Sequence, residues 1–228
     1  MEIKKILATI PLFKGLTDQQ YDDLAMIVVD QEFGRGRTIF AEGEEGVGFY
    51  VVISGLIKIY KLSPEGKEQI LHVFGPGEPF AEAAVFAGSA YPAHALALQP
   101  SRLFFLPRNS FRDLIMENPS LAMNMMAALS HRLKRFAHMI EDLSLKEVPG
   151  RLAAHLLDLS SSQEGADQVV LQIAKAHLAS LLGTIPETLS RILTRMQKQG
   201  LIEMEGQNIR LIDRESLEEL AAGERRLG

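Results

Sequence analysis

The sequence predicts an α+β protein: an N-terminal antiparallel β-roll of the jelly-roll type, a long helix and a C-terminal winged helix-turn-helix. Three patterns predict this order: strand-like runs between residues 33 and 106, helical periodicity from residue 109, and a helix–turn–helix pattern at residues 172–200. We therefore divide the chain into a β-roll sensor domain with an N-terminal helix (1–108), a long dimerisation helix region (109–145) and a winged helix-turn-helix domain (146–228).

The strand-like region consists of short β-branched and aromatic runs separated by Gly and Pro. The clearest runs are FYVVISG, LIKIYKLS, EQILHVF, HALALQ and RLFFLP. Their even spacing is typical of a small antiparallel barrel or jelly roll. The segment before them, MEIKKILATIPLFKGL, is interrupted by Pro11 and lacks a small-residue cleavage site. It predicts a helix of the mature protein and not a signal peptide.

The helical region contains a seam of apolar residues that alternate spacings of four and three. Such a heptad pattern usually packs against a copy of itself, so it predicts a parallel homodimer through this helix. A helix packed only on its own barrel would be the alternative. The seam starts at Ala122, and its predicted interface residues are Met126, Leu129, Leu133, Phe136, Ile140 and Leu143. Residues 144–150 are the predicted hinge to the last domain.

The segment QIAKAHLASLLGTIPETLSRILTRMQKQG predicts two helices joined by a tight turn. Gly183 can adopt the left-handed conformation that a tight helix exit needs. Thr184 is the predicted N-cap of the second helix, with Pro186 near its first position and Glu187 completing a capping box. The following LIEMEGQNIRLID predicts two short strands around a turn at residues 205–208, which would form a wing.

The exposed face of the second helix carries side chains able to recognise bases. Arg can donate two hydrogen bonds to guanine, Glu accepts one from cytosine, and Ser can contact either base edge. Between residues 175 and 200, four basic residues accompany one acidic residue although the chain has a net charge of −5. This local excess favours phosphate contact. The predicted partner is double-stranded DNA, contacted by Glu187, Thr188, Ser190, Arg191, Arg195, Lys198 and Lys175.

The composition excludes several kinds of site and indicates that the chain does not span a membrane. The chain has no Cys, which excludes disulfides, thiolate zinc sites and cysteine-ligated iron–sulfur clusters. No apolar run approaches the roughly 20 residues of a membrane span. We therefore expect a cytoplasmic protein without a membrane partner.

Taken together, these motifs resemble the CRP/FNR family of transcription regulators. The resemblance covers nearly the whole chain and is carried by IPLFKGL, AEGEEGVGFYVVISGLIKIYKLSPEGKEQIL, GPGEPFAE, EVPGRLAAHLLDL and IPETLSRILTRMQKQG. It implies a cyclic-nucleotide-binding-like β-roll, RNA polymerase as a partner and a role as an activator. The E-x-x-S-R spacing of Glu187, Ser190 and Arg191 resembles the FNR branch, which goes with TTGAT-type half-sites.

The resemblance also indicates which effectors the protein can bind as its signal. Cyclic-nucleotide-binding members use a G-E-L/I segment and a downstream Arg followed by Ser or Thr. In this chain Ala81 replaces the Gly, and Pro92 and Ala93 stand near the Arg position. Phe136 and Ala137 stand where the family usually supplies hydroxyls to the purine. A buried phosphate without an Arg partner would be poorly compensated, so we expect no cAMP binding. The oxygen-sensing iron–sulfur cluster of the FNR branch is also excluded, because this chain has no Cys to ligate it.

The remaining pocket is predicted to be apolar and suited to a flat hydrophobic cofactor. The segment FAEAAVFAGSAYPAHALALQPSRLF resembles the Dnr and HcpR branches, haem proteins that respond to nitric oxide. The resemblance therefore implies haem as cofactor and a gas as signal, and His72 and His94 are the candidate axial ligands, because haem iron takes a donor such as His. The predicted pocket residues are Phe80, Ala81, Glu82, Ala84, Val85, Phe86, His94, Phe136 and Ala137.

Other interpretations remain open. The effector could be another small organic molecule, such as an organic acid or a phenolic compound. A metal-dependent cupin enzyme would need clustered His and carboxylate ligands, whereas this barrel offers only His72 and His94. A structural or protein-binding module could use its helix-turn-helix for docking. The second helix could also be an ordinary amphipathic helix whose charged face is solvated. We expect no enzyme activity.

Overall fold

The computed structural model describes residues 2–163 and 166–227, which divide into two compact units, Met1–Leu133 and Lys134–Gly228. The first unit begins with helices and continues into strands. Its elements are α1 (Glu2–Thr9), a 3-10 helix (Pro11–Phe13), α2 (Asp18–Ile27), β1 (Val29–Phe33), β2 (Thr38–Phe40), β3 (Gly48–Ser54), β4 (Ile57–Leu62), β5 (Glu68–Phe74), β6 (Pro79–Phe80), α3 (Glu82–Ala87), β7 (His94–Ala97), β8 (Ser101–Pro107) and α4 (Arg108–Glu117). The long helix α5 (Pro119–Leu145) contains the division between the units.

The eight strands form two four-stranded antiparallel sheets, which confirms the predicted β-roll. Their orders are β1-β8-β3-β6 and β2-β7-β4-β5. All five strand-like runs of the sequence become strands, and β1, β2 and β6 are additional. The additional strands are short or half-exposed, so they carry little of the apolar alternation by which a strand is recognised.

Two apolar clusters fill the first unit. One joins α1, α2 and α4 to the outer side of β3 and β8, with Phe13, Phe49 and Phe111 fully buried. The other lies between the sheets and is aromatic: the rings of Phe40 and Tyr91 stack with centroids 3.9 Å apart. Burial raises the pKa of the Tyr50 hydroxyl in this cluster, because the phenolate would lose its hydration.

The helical region is divided where the sequence suggests continuous periodicity. α4 ends at Glu117, and Pro119 begins α5. The break follows from Pro119, which lacks an amide hydrogen and disfavours a helical conformation at Asn118. Asn118 is buried, and its side chain donates a hydrogen bond to the Leu114 carbonyl at 2.8 Å. It thereby satisfies a carbonyl at the end of α4.

The second unit is a three-stranded antiparallel sheet surrounded by helices. The sheet order is β10-β11-β9. One core contains buried residues from α6, from both helices of the helix-turn-helix, from the sheet and from α9. The elements are α6 (Val148–Ser162), β9 (Gln168–Val170), α7 (Lys175–Leu181), α8 (Pro186–Lys198), β10 (Ile202–Glu205), β11 (Asn208–Leu211) and α9 (Arg214–Ala222).

Candidate DNA-reading surface and effector site

The turn between α7 and α8 has the geometry of a helix-turn-helix. Gly183 has φ +67°, in the left-handed region, and its position ends α7 as the sequence predicts. The amide of Thr184 donates to the Ala179 carbonyl at 2.9 Å, which closes the turn. Ile185 has an extended backbone, and α8 starts at Pro186.

The predicted N-cap of α8 is wrong by one residue. Ile185, and not Thr184, occupies the N-cap position, and none of the described side chains caps the helix there. The reason is Pro186, which requires an extended conformation at the residue before it and itself fits the first helical position. Glu187 therefore does not complete a capping box, but its carboxylate lies in the first turn, where the helix dipole favours negative charge.

The predicted base-reading side chains share the exposed face of α8. Leu189, Ile192, Leu193 and Met196 are buried on the opposite face, and this amphipathic division orients the helix. Thr188 is half-buried and accepts a hydrogen bond from Nη2 of Arg191 at 3.1 Å. We define the reading face as Glu187, Ser190, Arg191 and Lys198, all of which are exposed.

Three more residues of α7 and α8 are exposed: Arg195 and Lys175, which the sequence predicts as DNA contacts, and Thr194, which it does not. Thr194 is exposed one turn after Ser190, and its hydroxyl donates to the Ser190 carbonyl at 3.0 Å. Arg195 is exposed, and its Nη1 lies 3.5 Å from the Leu227 carbonyl oxygen. Lys175 is exposed at the start of α7. A Thr in the middle of a helix gives no distinctive sequence signal.

The wing is confirmed as β10 and β11, which pair from Ile202 opposite Leu211 to Glu205 opposite Asn208. The strand β9 joins the sheet on the other side of β11. The wing's exposed side chains are mixed in charge, since Arg210 pairs with Glu203 across the strands and Glu205 stands at the turn. Its solvent face therefore adds little net positive charge to the reading face.

The predicted effector segment begins with an unusual backbone. Among the described residues Ala81 alone has a positive φ without being Gly, at +69°. Left-handed geometry is strained for any residue with a Cβ. The Gly that stands here in the resembling family would adopt it freely. Glu82 follows at the start of α3, and its side chain is 1% exposed.

The site contains a buried ion pair that the sequence interpretation missed. Nη1 of Arg132, on α5, donates to Oε2 of Glu82, and Nη2 donates to the Pro79 carbonyl. The guanidinium also lies 4.9 Å from the centre of the Phe74 ring. Oε1 of Glu82 is buried and has no hydrogen-bond partner among the described residues. The predicted pocket is therefore not apolar throughout, because Glu82, one of its predicted residues, forms an ion pair with Arg132.

The other predicted pocket residues have different environments. Phe80 is fully buried and packs on Tyr50 with centroids 5.2 Å apart, so it belongs to the aromatic core. Phe86 is 49% exposed. The backbones of Ala84 and Val85 belong to α3, but their side chains lie outside the described part of the structure. Phe136 and Ala137 are exposed on α5, in the second unit.

The two candidate haem ligands lie on opposite faces of their sheet. His72 shares the inner face of β5 with buried Phe74, and their rings meet edge-on with centroids 4.4 Å apart. Its Nε2 is 3.8 Å from a Glu78 oxygen. His94 lies on the face of β7 opposite the buried Ala95, where it stacks on Tyr60. The structure does not bring His94 together with Phe80 and Glu82.

The predicted dimer seam is largely uncovered in the single chain. The exposed fractions are 52% for Met126, 70% for Leu133, 37% for Phe136, 66% for Ile140 and 38% for Leu143. Leu129 is half-buried and packs on the core of the first unit. Several large apolar side chains aligned on one helix are unusual on the surface of a monomer.

No helix among the described residues combines the length and apolar character that a bilayer crossing requires. No group of three or more His, Asp or Glu side chains in the same residues is arranged to hold a metal ion.

Family models match both parts of the chain. The model of the cyclic nucleotide-binding domain matches residues 30–118, which span the β-roll. The model of the Crp-like helix-turn-helix domain matches residues 150–220, which span the second unit from α6 to α9.

Individual proteins are similar over nearly the whole length. The CRP-like cAMP-activated global transcriptional regulator of Mycobacterium tuberculosis is 31% identical over 217 residues, which are 93% of this chain and 97% of the relative. The fumarate and nitrate reduction regulatory protein of Escherichia coli is 31% identical over 211 residues, 90% of this chain and 84% of the relative. The structure of FixK2 from Bradyrhizobium japonicum shares the fold, with a TM-score of 0.77 at 24% identity over 85% of this chain and 97% of that one. The chain therefore belongs to the CRP/FNR family of DNA-binding transcription regulators.

Proposed function

We propose that the protein acts as a homodimer on a palindromic, TTGAT-like DNA site and is switched by an effector other than cAMP. The proposed binding to DNA rests on the reading face of α8. Glu187, Ser190 and Arg191 are exposed together on the first turns of α8, while its other face is held in the core. These are the turns of a reading helix that enter the major groove.

The uncovered seam on α5 supports the dimer. A two-fold copy would cover Leu133 and Ile140, which are 70% and 66% exposed in one chain, and their burial would favour association. Two reading helices related by this axis would address half-sites about 34 Å apart, one turn of DNA. The effector would then have to bind the DNA-competent arrangement more tightly than the other.

Fluorescence anisotropy with a labelled TTGAT palindrome tests the DNA proposal. A scrambled duplex of the same length and composition is the control. We expect binding to the palindrome to exceed binding to the scrambled duplex by at least about 10³, the lower end for specific binding. Equal binding to both duplexes would refute the proposal.

Haem that binds nitric oxide is our first candidate for the signal, following the resemblance to the Dnr and HcpR branches. His72 supports it, because its ring lies on the inner sheet face against Phe74. Haem would supply an iron that takes an axial His and binds the gas. His94 is less suitable, since its Nδ1 accepts a hydrogen bond from the Glu42 amide at 3.1 Å.

An absorption spectrum of protein produced with haem available tests this candidate. We expect a haem band that shifts with nitric oxide, that is changed in His72→Ala and that is retained in His94→Ala. A protein that binds no haem, or a spectrum unchanged in His72→Ala, would contradict the assignment.

A small organic effector is the second candidate, and it is favoured by Oε1 of Glu82, which accepts no hydrogen bond from the part of the chain that the structure describes. A buried acceptor without a partner is costly, so a ligand hydroxyl that donates to it would bind favourably. 4-Hydroxybenzoate and benzoate form a matched pair of probes. We expect 4-hydroxybenzoate to raise the unfolding temperature of wild type more than benzoate does, with no difference between the two in Glu82→Gln. Equal effects of both probes on wild type would remove the support for this candidate.

Two relatives carry cAMP in their names, so cAMP is a necessary further probe. We expect no binding by calorimetry, because Pro92 and Ala93 replace the phosphate-binding residues and Arg132 is already engaged by Glu82.

The resemblance also suggests that the protein contacts RNA polymerase as an activator in the cytoplasm. Transcription in vitro from a promoter with the palindrome upstream would show the sign of regulation.

A further inference from the structure

Arg151, in the first turns of α6, connects two helix ends within the second unit. Its Nε donates to the Leu182 carbonyl at 2.9 Å, and its Nη1 donates to the Lys146 carbonyl at 2.6 Å. The side chain is half-buried, and burial lowers the pKa of the guanidinium. The planar guanidinium presents its donors in a fixed geometry, so both carbonyls are held at set positions relative to each other.

Both carbonyls belong to the ends of functional helices. Lys146 directly follows α5, and Leu182 is the C-cap of α7, next to the turn that leads into α8. The last carbonyls of a helix lack partners within the helix and carry partial negative charge. One cation therefore stabilises the end of the long helix and the start of the helix-turn-helix turn at the same time.

The backbone that carries Arg151 is itself fixed. A Cβ on Gly150 would lie 2.7 Å from the Leu220 carbonyl oxygen, so α6 and α9 are in direct backbone contact at this point. The Arg151 amide donates to the Glu147 carbonyl at 3.0 Å. Nζ of Lys146 forms an ion pair with Oδ1 of Asp142 at 2.8 Å, and this pair holds Lys146 against the last turn of α5. Within the predicted hinge, residues 144–150, the connection between α5 and α6 is therefore only residues 146 and 147, and these hydrogen bonds and the ion pair fix its position.

We propose that Arg151 is a positioning residue that transmits the orientation of α5 to the reading helix α8. In the dimer, which this inference takes from the proposed function, the bridge sets the separation of the two reading faces. A half-site contacts only one reading face and does not depend on the bridge. A palindrome with the correct spacing does depend on it.

Binding of the full-length protein to three duplexes tests the proposal. They carry a single half-site, the palindrome, and a palindrome whose half-sites are moved apart by half a helical turn, about 5 base pairs. In Arg151→Met we expect half-site affinity within about twofold of wild type and palindrome affinity lower by about tenfold, in the range of a typical coupling. The preference for correct spacing over altered spacing should fall by a similar factor.

Arg151→Lys and Arg214→Met provide the comparison. Lys keeps the charge but not the two-pronged geometry, so we expect it to lose spacing preference as Arg151→Met does. Arg214, on α9 of the same unit, donates to Ser160 and Glu218, and its replacement should leave spacing preference unchanged. Half-site binding shows for each variant that the reading helix is folded.

Three results would overturn the inference. One is wild-type spacing preference in Arg151→Met, and another is full recovery of that preference in Arg151→Lys. The third is an equal loss of affinity for half-site and palindrome in both Arg151 variants, because that pattern indicates a general structural role. Wild type that does not distinguish palindrome from scrambled DNA would overturn the proposed function and this inference with it.

Discussion

Replacing Arg132 by Met should strongly destabilise the first unit, and the reason lies in Glu82. The Glu82 side chain is 1% exposed and Arg132 is its charge partner. Within residues 2–163 and 166–227, as far as their side chains are described, Oε1 of Glu82 has no hydrogen bond. Met keeps most of the apolar volume of the Arg stem but leaves the carboxylate buried and unpaired. Breaking such a pair from one side costs about 3–5 kcal/mol.

A double-mutant cycle separates the ion pair from general packing. Glu82→Met together with Arg132→Met replaces both charges by apolar groups, and such a replacement of a buried ion pair is often neutral or stabilises the protein by about 1–4 kcal/mol. Glu82→Met alone should cost less than Arg132→Met alone, because the side chain of Arg132 is 19% exposed and can reach solvent. The interaction free energy in the cycle should therefore be about 2 kcal/mol or more.

Urea unfolding followed by tyrosine fluorescence is the appropriate assay. The chain has no Trp, and its four Tyr residues all lie in the first unit, so the signal reports on that unit. Additive effects of the two substitutions, with no interaction free energy, would refute the argument. An Arg132→Met variant as stable as wild type would refute it as well.

Three further predictions concern assembly, pH and packing. Leu133→Asp should give monomers with little palindrome binding, because it places like charges in an apolar interface; sedimentation measures this. Burial lowers the pKa of His155 from 6.5 to about 4, so the folded protein keeps it neutral while the unfolded chain binds a proton. Its contribution to stability is therefore fully present above pH 6.5 and is lost towards pH 4, by about 3 kcal/mol in total, as urea unfolding followed by circular dichroism should show. Gly150→Ala should destabilise the second unit by about 1–3 kcal/mol, because the new methyl group meets the Leu220 backbone; thermal unfolding measures this.

Each of these predictions has a control and a contradictory outcome. Ala127→Asp, an exposed change outside the seam on the same helix, should leave the dimer intact; a monomeric wild type at micromolar concentration would rule out the assembly. His155→Gln should be less sensitive to pH between 6.5 and 4 than wild type, and identical pH profiles would contradict the His155 argument. Gly34→Ala should be nearly neutral, because its Cβ would meet only the Arg37 side chain at 3.7 Å. Equal losses in both Gly variants would show that close packing is not the cause at Gly150.

The local sequence patterns predicted most of the fold. Gly183 and Pro186 end and begin helices because of the backbone conformations that Gly and Pro themselves allow. The sequence alone therefore predicts their effect. The position of the N-cap was missed because the conformational effect of Pro186 on Ile185 outweighs the capping preference of Thr184. The break before Pro119 divides a helical pattern that the apolar spacing alone does not interrupt.

The effector site could be predicted much less well. Arg132 is separated from Glu82 by 50 residues, and it is one of several basic residues close together on α5, so the sequence does not single it out for such a pairing. The same holds for Arg151, whose two acceptors are backbone carbonyls. Every residue has a backbone carbonyl, so the sequence does not identify these two as acceptors. The exposed face of α8 was predictable because one amphipathic helix contains it entirely.

The most direct test of base recognition by α8 compares Arg191→Ala with Lys198→Ala. Competition titrations would use the TTGAT palindrome and its single-base variants at two salt concentrations. Arg191→Ala should cost about 1–3 kcal/mol per half-site and relax the preference at one base pair. Lys198→Ala should weaken binding to all sequences alike and lower the salt slope by about one unit per site. If Arg191→Ala weakened every sequence equally while Lys198→Ala changed base preference, the assigned reading face would be incorrect.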